Sequence, residues 1–584
     1  MTDINVELLK IDGTKLHSPG NEPDINIDNL LEHEVGAYGL WQWCITLCLM
    51  LSNSALVSFA IYANSAPRHR CRMNDQIENY IDQNNISFEV AATLIGPWFT
   101  KDIHDANQIN GCVRYELNWT TYKFVDLLNS RKDLNTSHLS TIQCSNGYVF
   151  EDSKLHYPGN VIQEFSIVCQ YAWFAPLGTS VFMFGMMLGF ILSGICGDKF
   201  GRKYTMLTFA GIEFLGGIWT SLSPNFVSFM LARALMAVGC TGKLSVASVF
   251  VAEWTLPRYR SIYCTMISLS VNFLFPALMA LWAYLIPNWR WLNIAITCPN
   301  LLSVFYYKLL PESPRWLLAR RKNDTVIQVL KKAYTVNHSR SICCGQKNQP
   351  HPEKLESLAK FYCDKLPRAV SETQSSNEIL INNKTDDKSD ISNKKLSKQL
   401  YLLACLYLVL YRVFTVYFFG FLNSTTAIPA FIISTVSYRI TVYRKRPLGV
   451  VTGLNIVLLG GTALFQLIVK PETDMVLTIC SSISLTLLNS SLSMCYIFVA
   501  ELFPPRIRTR CFGIVLGVSR VGSMMSSFIN ELDLHLGHGA PFIVYCIILT
   551  LEFFILWILP ETGWSKESCL SVDQNVENDC VSQL

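Results

Sequence analysis

The 584-residue sequence predicts an all-α membrane protein with twelve transmembrane helices in two six-helix halves. Composition, long apolar runs and an internal repeat support this fold class. Half of the residues are apolar and only 16% are charged, against roughly 25% in soluble domains. The apolar residues are grouped in runs of about 20, which is the length that crosses a bilayer. A soluble globular protein is therefore excluded, and the near-neutral charge of +4 makes nucleic acid an unsuitable partner.

Six apolar runs precede a long polar stretch and six follow it. The twelve predicted spans lie near residues 41–63, 173–195, 204–222, 226–252, 262–286, 289–310, 400–421, 424–442, 448–469, 475–500, 512–532 and 540–559. The predicted domains are a cytosolic segment 1–40, an N-terminal half 41–310 with an extracellular loop 64–172, a partly disordered cytosolic loop 311–399, a C-terminal half 400–560 and a cytosolic tail 561–584.

The loop 64–172 is predicted to be extracellular because Lys and Arg gather in the loops on the opposite side of the membrane. It carries three glycosylation sequons, at Asn85, Asn118 and Asn135. It also holds four cysteines, which predict two disulfides in an oxidising compartment with three connectivities open: Cys71, Cys112, Cys144 and Cys169.

An internal repeat relates the two halves. The run from Glu253 to Arg260 after the fourth span recurs as the run from Glu501 to Arg508, 248 residues later. The Pro-Glu that ends the sixth span recurs at Glu561, 249 residues after Glu312. Two halves that repeat in the same orientation are typical of transporters that bind substrate between the halves and alternate access.

Acidic and basic side chains recur at the cytosolic ends of these spans. Our hypothesis is a latch between helices that closes the cytosolic mouth, and the alternative is that these charges only set topology. The predicted cytosolic gate comprises Asp198, Gly201, Arg202, Glu253, Arg260, Glu312, Arg315, Glu501, Arg508 and Glu561.

These motifs resemble the major facilitator superfamily, and within it the organic cation, anion and carnitine transporters. The resemblance rests on Gly194…Asp198…Gly201-Arg202-Lys203, Pro311-Glu312-Ser313-Pro314-Arg315, Glu501-Leu-Phe-Pro504, Pro560-Glu561-Thr562, the run 35–42, and Cys144…Gly147 with Ser166…Cys169…Trp173. It implies facilitated transport of amphipathic organic ions across the plasma membrane rather than an enzymatic activity. The loop 441–447 departs from the family pattern because it lacks an Asp and a Gly, and the connection between spans seven and eight is short.

Charged residues inside spans are costly and usually mark a functional cavity or a buried pair. Arg520 lies eight residues into its span, about 12 Å from its end at 1.5 Å per residue, and is the first choice for binding a substrate carboxylate. The resemblance supports this choice, because organic anion and carnitine carriers have Arg at that position. The alternative for Arg520 is a structural ion pair with Glu213 or Glu552. Further substrate-binding candidates are Lys243, Glu213, Arg412, Glu552, Tyr417 and Tyr496.

The remaining features of the sequence predict few other ligands. We expect no cofactor, no metal site and no nucleotide-binding loop. We expect membrane lipid to surround the protein. The tail Ser582-Gln583-Leu584 suits a PDZ-type scaffold that captures C-terminal carboxylates. The prediction is a secondary transporter for carnitine-like zwitterions or carboxylate-bearing anions, with both termini cytosolic. Alternatives are an organic cation transporter of the same family, a hexose carrier, and a transport-inactive sensor or scaffold.

Overall fold

The computed structural model describes much of the chain. The described residues are 31, 36, 39–54, 58–64, 67–97, 111–129, 140–151, 157–343, 424–441, 445–469, 475–502, 508–529 and 540–558. The chain divides into two compact units. The first comprises Met1–Gly39 and Leu317–Asn383, and the second comprises Leu40–Trp316 and Lys384–Leu584.

The first unit is described chiefly by one helix, α15 (Asn323–Cys343). Its buried face includes Val326, Leu330 and Ala333. Gly39 lies against the Asn337 side chain, where an added Cβ would come within 2.2 Å of it. The preceding helix, α14 (Pro314–Ala319), crosses the boundary between the two units.

The second unit contains all the predicted spans that the structure describes. Its N-terminal half comprises α1 (Leu40–Leu51), α2 (Phe59–Ala63), α7 (Phe174–Phe200), α8 (Arg202–Leu222), α9 (Phe226–Trp254), α10 (Pro257–Leu269), α11 (Phe275–Leu285), α12 (Trp289–Thr297) and α13 (Tyr306–Leu309). Its C-terminal half comprises α16 (Ala427–Ile440), α17 (Lys445–Val469), α18 (Met475–Leu502), α19 (Arg508–Ile529) and α20 (Ala540–Ile558).

Hydropathy agrees with a multi-pass membrane protein. Seven helices among the described residues are long and apolar enough to cross a membrane, and two shorter apolar helices accompany them. The most extensive helix contacts join α9 to α8 and to α7, and α7 to α19. The all-α membrane fold is therefore confirmed, while the predicted seventh span, 400–421, lies outside the described residues.

The first predicted span is not one continuous helix, which corrects the prediction. Helix α1 ends at Leu51, and α2 begins at Phe59. Polar side chains explain the break, because Ser and Asn hydrogen-bond to nearby backbone and to other helices in place of the helical ladder. The Ser52 hydroxyl bonds the Leu49 carbonyl, and the Asn53 amide donates to Ser270 at 2.8 Å.

The fifth and sixth spans are also irregular. A π-helical turn, Ser270–Leu274, separates α10 from α11, and a 3-10 segment, Cys298–Phe305, separates α12 from α13. The prediction of simple helices over 262–286 and 289–310 missed both segments, because apolar content does not distinguish an α-helix from a 3-10 helix or a π-helix.

The loop predicted to be extracellular forms a small disulfide-linked fold among its described residues. It contains α3 (Asp75–Gln83), α4 (Phe88–Ile95), α5 (Thr121–Asn129) and α6 (Val161–Phe165), with β1 (His69–Cys71) paired to β4 (Tyr148–Phe150) and β2 (Val113–Tyr115) paired to β3 (Thr141–Gln143), both antiparallel. The structure pairs Cys71 with Cys144 and Cys112 with Cys169. The sequons at Asn85 and Asn118 are exposed, and Asn135 lies outside the described residues.

His69 lies beside one of these disulfides. Its Nε2 is 3.4 Å from Cys169 Sγ and 3.7 Å from Cys112 Sγ. Because both sulfurs are in a disulfide, this grouping is not a metal site. Burial holds the pKa of His69 below its usual value, and a hydrogen bond with the backbone of Pro67 opposes this only in part. The imidazole therefore stays neutral near neutral pH.

Candidate functional site

The predicted cytosolic latch contains a buried arginine on a glycine turn. Gly201 separates α7 from α8 with φ +97°, a conformation that favours glycine. Arg202 follows and forms a bidentate pair with Glu253 of α9, with Nη2 to Oε1 at 2.8 Å and Nε to Oε2 at 3.1 Å. Its Nη1 donates to the Gly197 carbonyl at 3.0 Å, and its Nη2 lies 3.5 Å from Asp198.

Glu312 completes this cluster from the end of the sixth span. Its carboxylate accepts hydrogen bonds from the backbone N–H groups of Arg202, at 2.8 Å, and of Lys203, so it caps the N-terminus of α8. Burial raises the pKa of Glu312 above its usual value, although these backbone bonds and the Arg202 charge oppose the shift. Arg315 donates to the Glu253 carbonyl oxygen at 3.0 Å. Six of the ten predicted gate residues therefore meet at one place.

A contact with Arg510 joins this cluster to the C-terminal half. Arg510 Nε of α19 lies 3.6 Å from Asp198 Oδ2, and the Arg510 side chain is 56% exposed. The predicted gate includes Arg508 and not Arg510. The side chains of Arg260, Glu501 and Arg508 lie outside the described residues, as does all of Glu561.

An apolar layer lies next to the latch between the two halves. Phe190 of α7 and Val249 of α9 pack against Phe512 and Leu516 of α19. Tyr496 of α18 joins this layer, with its ring centroid 6.1 Å from that of Phe512. Helices α7 and α19 approach closely, because an added Cβ at Gly513 would come within 2.4 Å of the Phe190 carbonyl oxygen. Both halves are therefore in direct contact at this level.

Arg520 lies on the far side of that layer from the latch. It is eight residues beyond Phe512 on α19, about 12 Å along the axis. Its guanidinium lies 5.2 Å from the Phe190 ring centroid, a cation–π contact. Arg520 makes no ion pair within the described part of the chain, and its buried Nε has no hydrogen-bond partner there. The predicted alternative of a pair with Glu213 or Glu552 is absent among these residues.

Lys243 and Glu213 form a separate pair inside the N-terminal half. Lys243 Nζ is 2.7 Å from Glu213 Oε2, and the two side chains are 1% and 0% exposed. Glu213 Oε1 also accepts from the Ser54 hydroxyl at 2.5 Å. The structure therefore contains a buried ion pair at these two positions. That either residue binds substrate stays a prediction.

The other predicted substrate residues are dispersed. Glu552 is exposed on α20 and makes no ion pair with any described residue. Arg412 and Tyr417 lie outside the described residues, as does the tail 582–584. Tyr496 belongs to the apolar layer and does not contact the Arg520 guanidinium.

An ionic cluster that the sequence did not predict joins Arg290 to Glu164 of the loop 64–172. Arg290 Nε donates to Glu164 of α6 at 3.2 Å, and its Nη1 and Nη2 donate to the carbonyls of Ser221 and Ser223. Trp289 Nε1 also donates to Glu164, at 2.6 Å. These contacts attach the loop 64–172 to the ends of α8 and α12. The adjacent Trp289 and Arg290 at the start of the sixth predicted span are the feature of the sequence that could have indicated this cluster.

Comparison with known proteins extends these observations. Residues 150–360 match the family model described as "Sugar (and other) transporter". The chain is 26% identical to solute carrier family 22 member 1 of Oryctolagus cuniculus over 92% of this chain and 93% of that protein. It is 25% identical to organic cation/carnitine transporter 2 of Homo sapiens, over 90% of each chain. It is 27% identical to an organic cation transporter-like protein of Drosophila melanogaster, over 77% of each.

Solved structures share the fold. A structure of XylE with two tryptophan substitutions superposes with a TM-score of 0.50 at 15% identity, covering 90% of this chain and 98% of that chain. At this identity the likeness concerns the fold alone.

Proposed function

The chain belongs to the major facilitator superfamily, in the branch of the organic cation and carnitine transporters of solute carrier family 22, and on that premise we propose a transport cycle and a substrate class. The protein is a secondary transporter of small organic ions that works by alternating access between its two halves. Its substrates carry a carboxylate, either as carnitine-like zwitterions or as organic anions.

The observation that carries this proposal is the state of Arg520. A guanidinium near mid-membrane is costly unless an anion or a watery cavity compensates its charge. Arg520 faces an aromatic ring and has no anionic partner among the described residues. A substrate carboxylate can accept two parallel hydrogen bonds from the guanidinium fork.

The cycle follows from two contacts between the halves on the cytosolic side of Arg520. The apolar layer and the Arg510–Asp198 contact close the cytosolic mouth. Inward opening separates α19 from α7, which breaks both. The Arg202–Glu253 pair lies wholly within the N-terminal half and moves with it as a rigid element.

We also propose the placement predicted from the sequence. The protein resides in the plasma membrane with both termini cytosolic and with the domain limits given above. The loop 64–172 faces outward and is glycosylated, and the tail 582–584 binds a PDZ-type scaffold.

Parallel uptake assays test the substrate class. Cells that express the protein receive labelled carnitine, benzoate or tetraethylammonium, with wild type compared against Arg520→Gln and Arg520→Lys. We expect uptake of carnitine or benzoate, a loss of roughly 10- to 100-fold in Arg520→Gln, and a smaller loss in Arg520→Lys, which keeps the charge but not the fork. Tetraethylammonium uptake that is indifferent to Arg520 would overturn the carboxylate assignment. Surface-expressed protein without any uptake would favour the sensor or scaffold.

A further inference from the structure

The ammonium of Lys243 is held like a metal cation, by oxygen atoms alone. Its Nζ lies 2.7 Å from each of three oxygens: the Glu213 carboxylate, the Ser52 backbone carbonyl and the Asn300 side-chain carbonyl. Two of its N–H groups donate to the carbonyl oxygens, and the Glu213 carboxylate supplies the ion pair. One positive and one negative charge meet, and the site is neutral as a whole.

These oxygens come from irregular parts of the helices. Ser52 follows the end of α1, so its carbonyl lies outside the helical ladder, and Asn300 lies in the 3-10 segment of the sixth span. Ser52 and Asn300 are buried in the protein interior. In transporters, unwound backbone carbonyls and helix C-terminal ends at membrane depth coordinate small cations. The first and sixth spans of this protein bring such oxygens together around Lys243.

Surrounding bonds hold the oxygens in place. The Asn300 amide donates to the Ala210 carbonyl of α8 at 2.8 Å, which turns its oxygen toward Lys243. The Ser303 hydroxyl donates to the same Asn300 oxygen, and Ser54 donates to Glu213. The oxygens are therefore positioned by groups other than the lysine itself.

We infer that the N-terminal half contains a binding site for a monovalent cation and that the Lys243 ammonium permanently fills it. The lysine is a tethered substitute for a free ion. Wild-type protein thus takes no coupling ion at this site. Removal of the ammonium leaves the Glu213 carboxylate and two carbonyl oxygens in a dry interior, where they bind a small cation from solution. This inference does not depend on the identity of the transported substrate.

Thermal unfolding of the purified full-length protein tests the inference. Lys243→Met keeps the length of the side chain up to Cε and removes only the ammonium. Melting temperatures are measured at equal ionic strength in sodium, potassium, methylammonium or N-methyl-D-glucamine chloride, the last being too large for the site. We expect Lys243→Met to melt several degrees below wild type in N-methyl-D-glucamine. At least one of the small cations should raise its melting temperature saturably, while wild type responds to none of them.

Two control variants make the result specific. Glu213→Gln/Lys243→Met removes both charges and should not respond to small cations, because the site no longer attracts them. Lys199→Met removes an exposed lysine and should behave as wild type. The inference would be overturned if no small cation restores Lys243→Met, if the double variant responds as strongly, or if sodium raises the melting temperature of wild type.

Discussion

Arg202 and Arg520 carry the same guanidinium group in opposite surroundings. Arg202 is buried with a bidentate carboxylate, a second acid and a backbone carbonyl around it. Arg520 is half-buried, lies against an aromatic ring, and has an unbonded Nε and no acid beside it among the described residues. The difference separates an arginine whose partners the protein itself supplies from one that we propose binds a ligand.

Lys243 sharpens this contrast. Like Arg520 it lies in the middle of a span, yet it is paired as completely as Arg202. Membrane depth therefore does not identify a substrate-binding cation. The decisive property is whether the protein itself supplies the counter-charge and the remaining acceptors.

The largest expected effect comes from breaking the Arg202 pair. Arg202→Gln leaves the Glu253 carboxylate buried without its cation, so the free energy of unfolding should fall by about 3–5 kcal/mol. Arg202→Gln/Glu253→Gln should recover much of this loss, because no charge is left unpaired. Denaturant unfolding in detergent measures both, with Lys203→Gln as a control that removes a neighbouring charge. Equal losses in the single and double variants would contradict the role given to charge.

A smaller effect is expected at the turn that positions Arg202. Gly201→Ala places a Cβ 2.5 Å from Glu312 Oε2 at a positive φ, so we expect a loss of about 1–3 kcal/mol in unfolding free energy. Gly211→Ala, in the helix that follows this turn, is the matched control, since nothing lies within 4 Å of its added Cβ. It should be neutral or stabilise by up to about 1 kcal/mol. Similar losses in both variants would show that the turn has no special role.

The smallest effect is expected at the contact between the halves. Arg510 is exposed, so Arg510→Gln should change stability by less than about 1 kcal/mol. A free-energy change of this size can shift the equilibrium between the cytosol-closed and cytosol-open states toward the open state by up to about fivefold. The labelling rate of Leu516→Cys by a cytosolic thiol reagent, in a background without other reactive thiols, reports this shift. An unchanged rate would remove Arg510 from the gate, and Lys199→Gln serves as the exposed control.

The charges of the predicted gate could be grouped from the sequence because they recur at the ends of repeat-related spans. The recurrence identified Asp198, Arg202, Glu253 and Glu312 as one set, and the structure brings them together. The recurrence could not identify Arg510 as the residue of the C-terminal half that contacts Asp198. Arg506, Arg508 and Arg510 lie within five positions, and only packing selects among them.

Sequence could not resolve the roles of the charges within the spans. Lys243 and Glu213 are 30 positions apart, and their pairing depends on how α8 and α9 rotate against each other. Asn300 and Ser52 carry no charge, so nothing in the pattern marked them as ligands of the ammonium. The break after Leu51 was missed for a related reason, since a few small polar residues barely change the hydropathy of a 23-residue run.

The most direct test of the contrast between Arg202 and Arg520 compares thermal unfolding of wild type, Arg202→Gln and Arg520→Gln, each with and without saturating carnitine or benzoate. We predict that Arg520→Gln keeps the wild-type melting temperature without ligand and loses the ligand-induced increase. Arg202→Gln should instead melt well below wild type while retaining an increase with ligand. An Arg520→Gln protein that melts early, or that still gains the full increase from either carboxylate, would contradict the assignment of Arg520 to substrate.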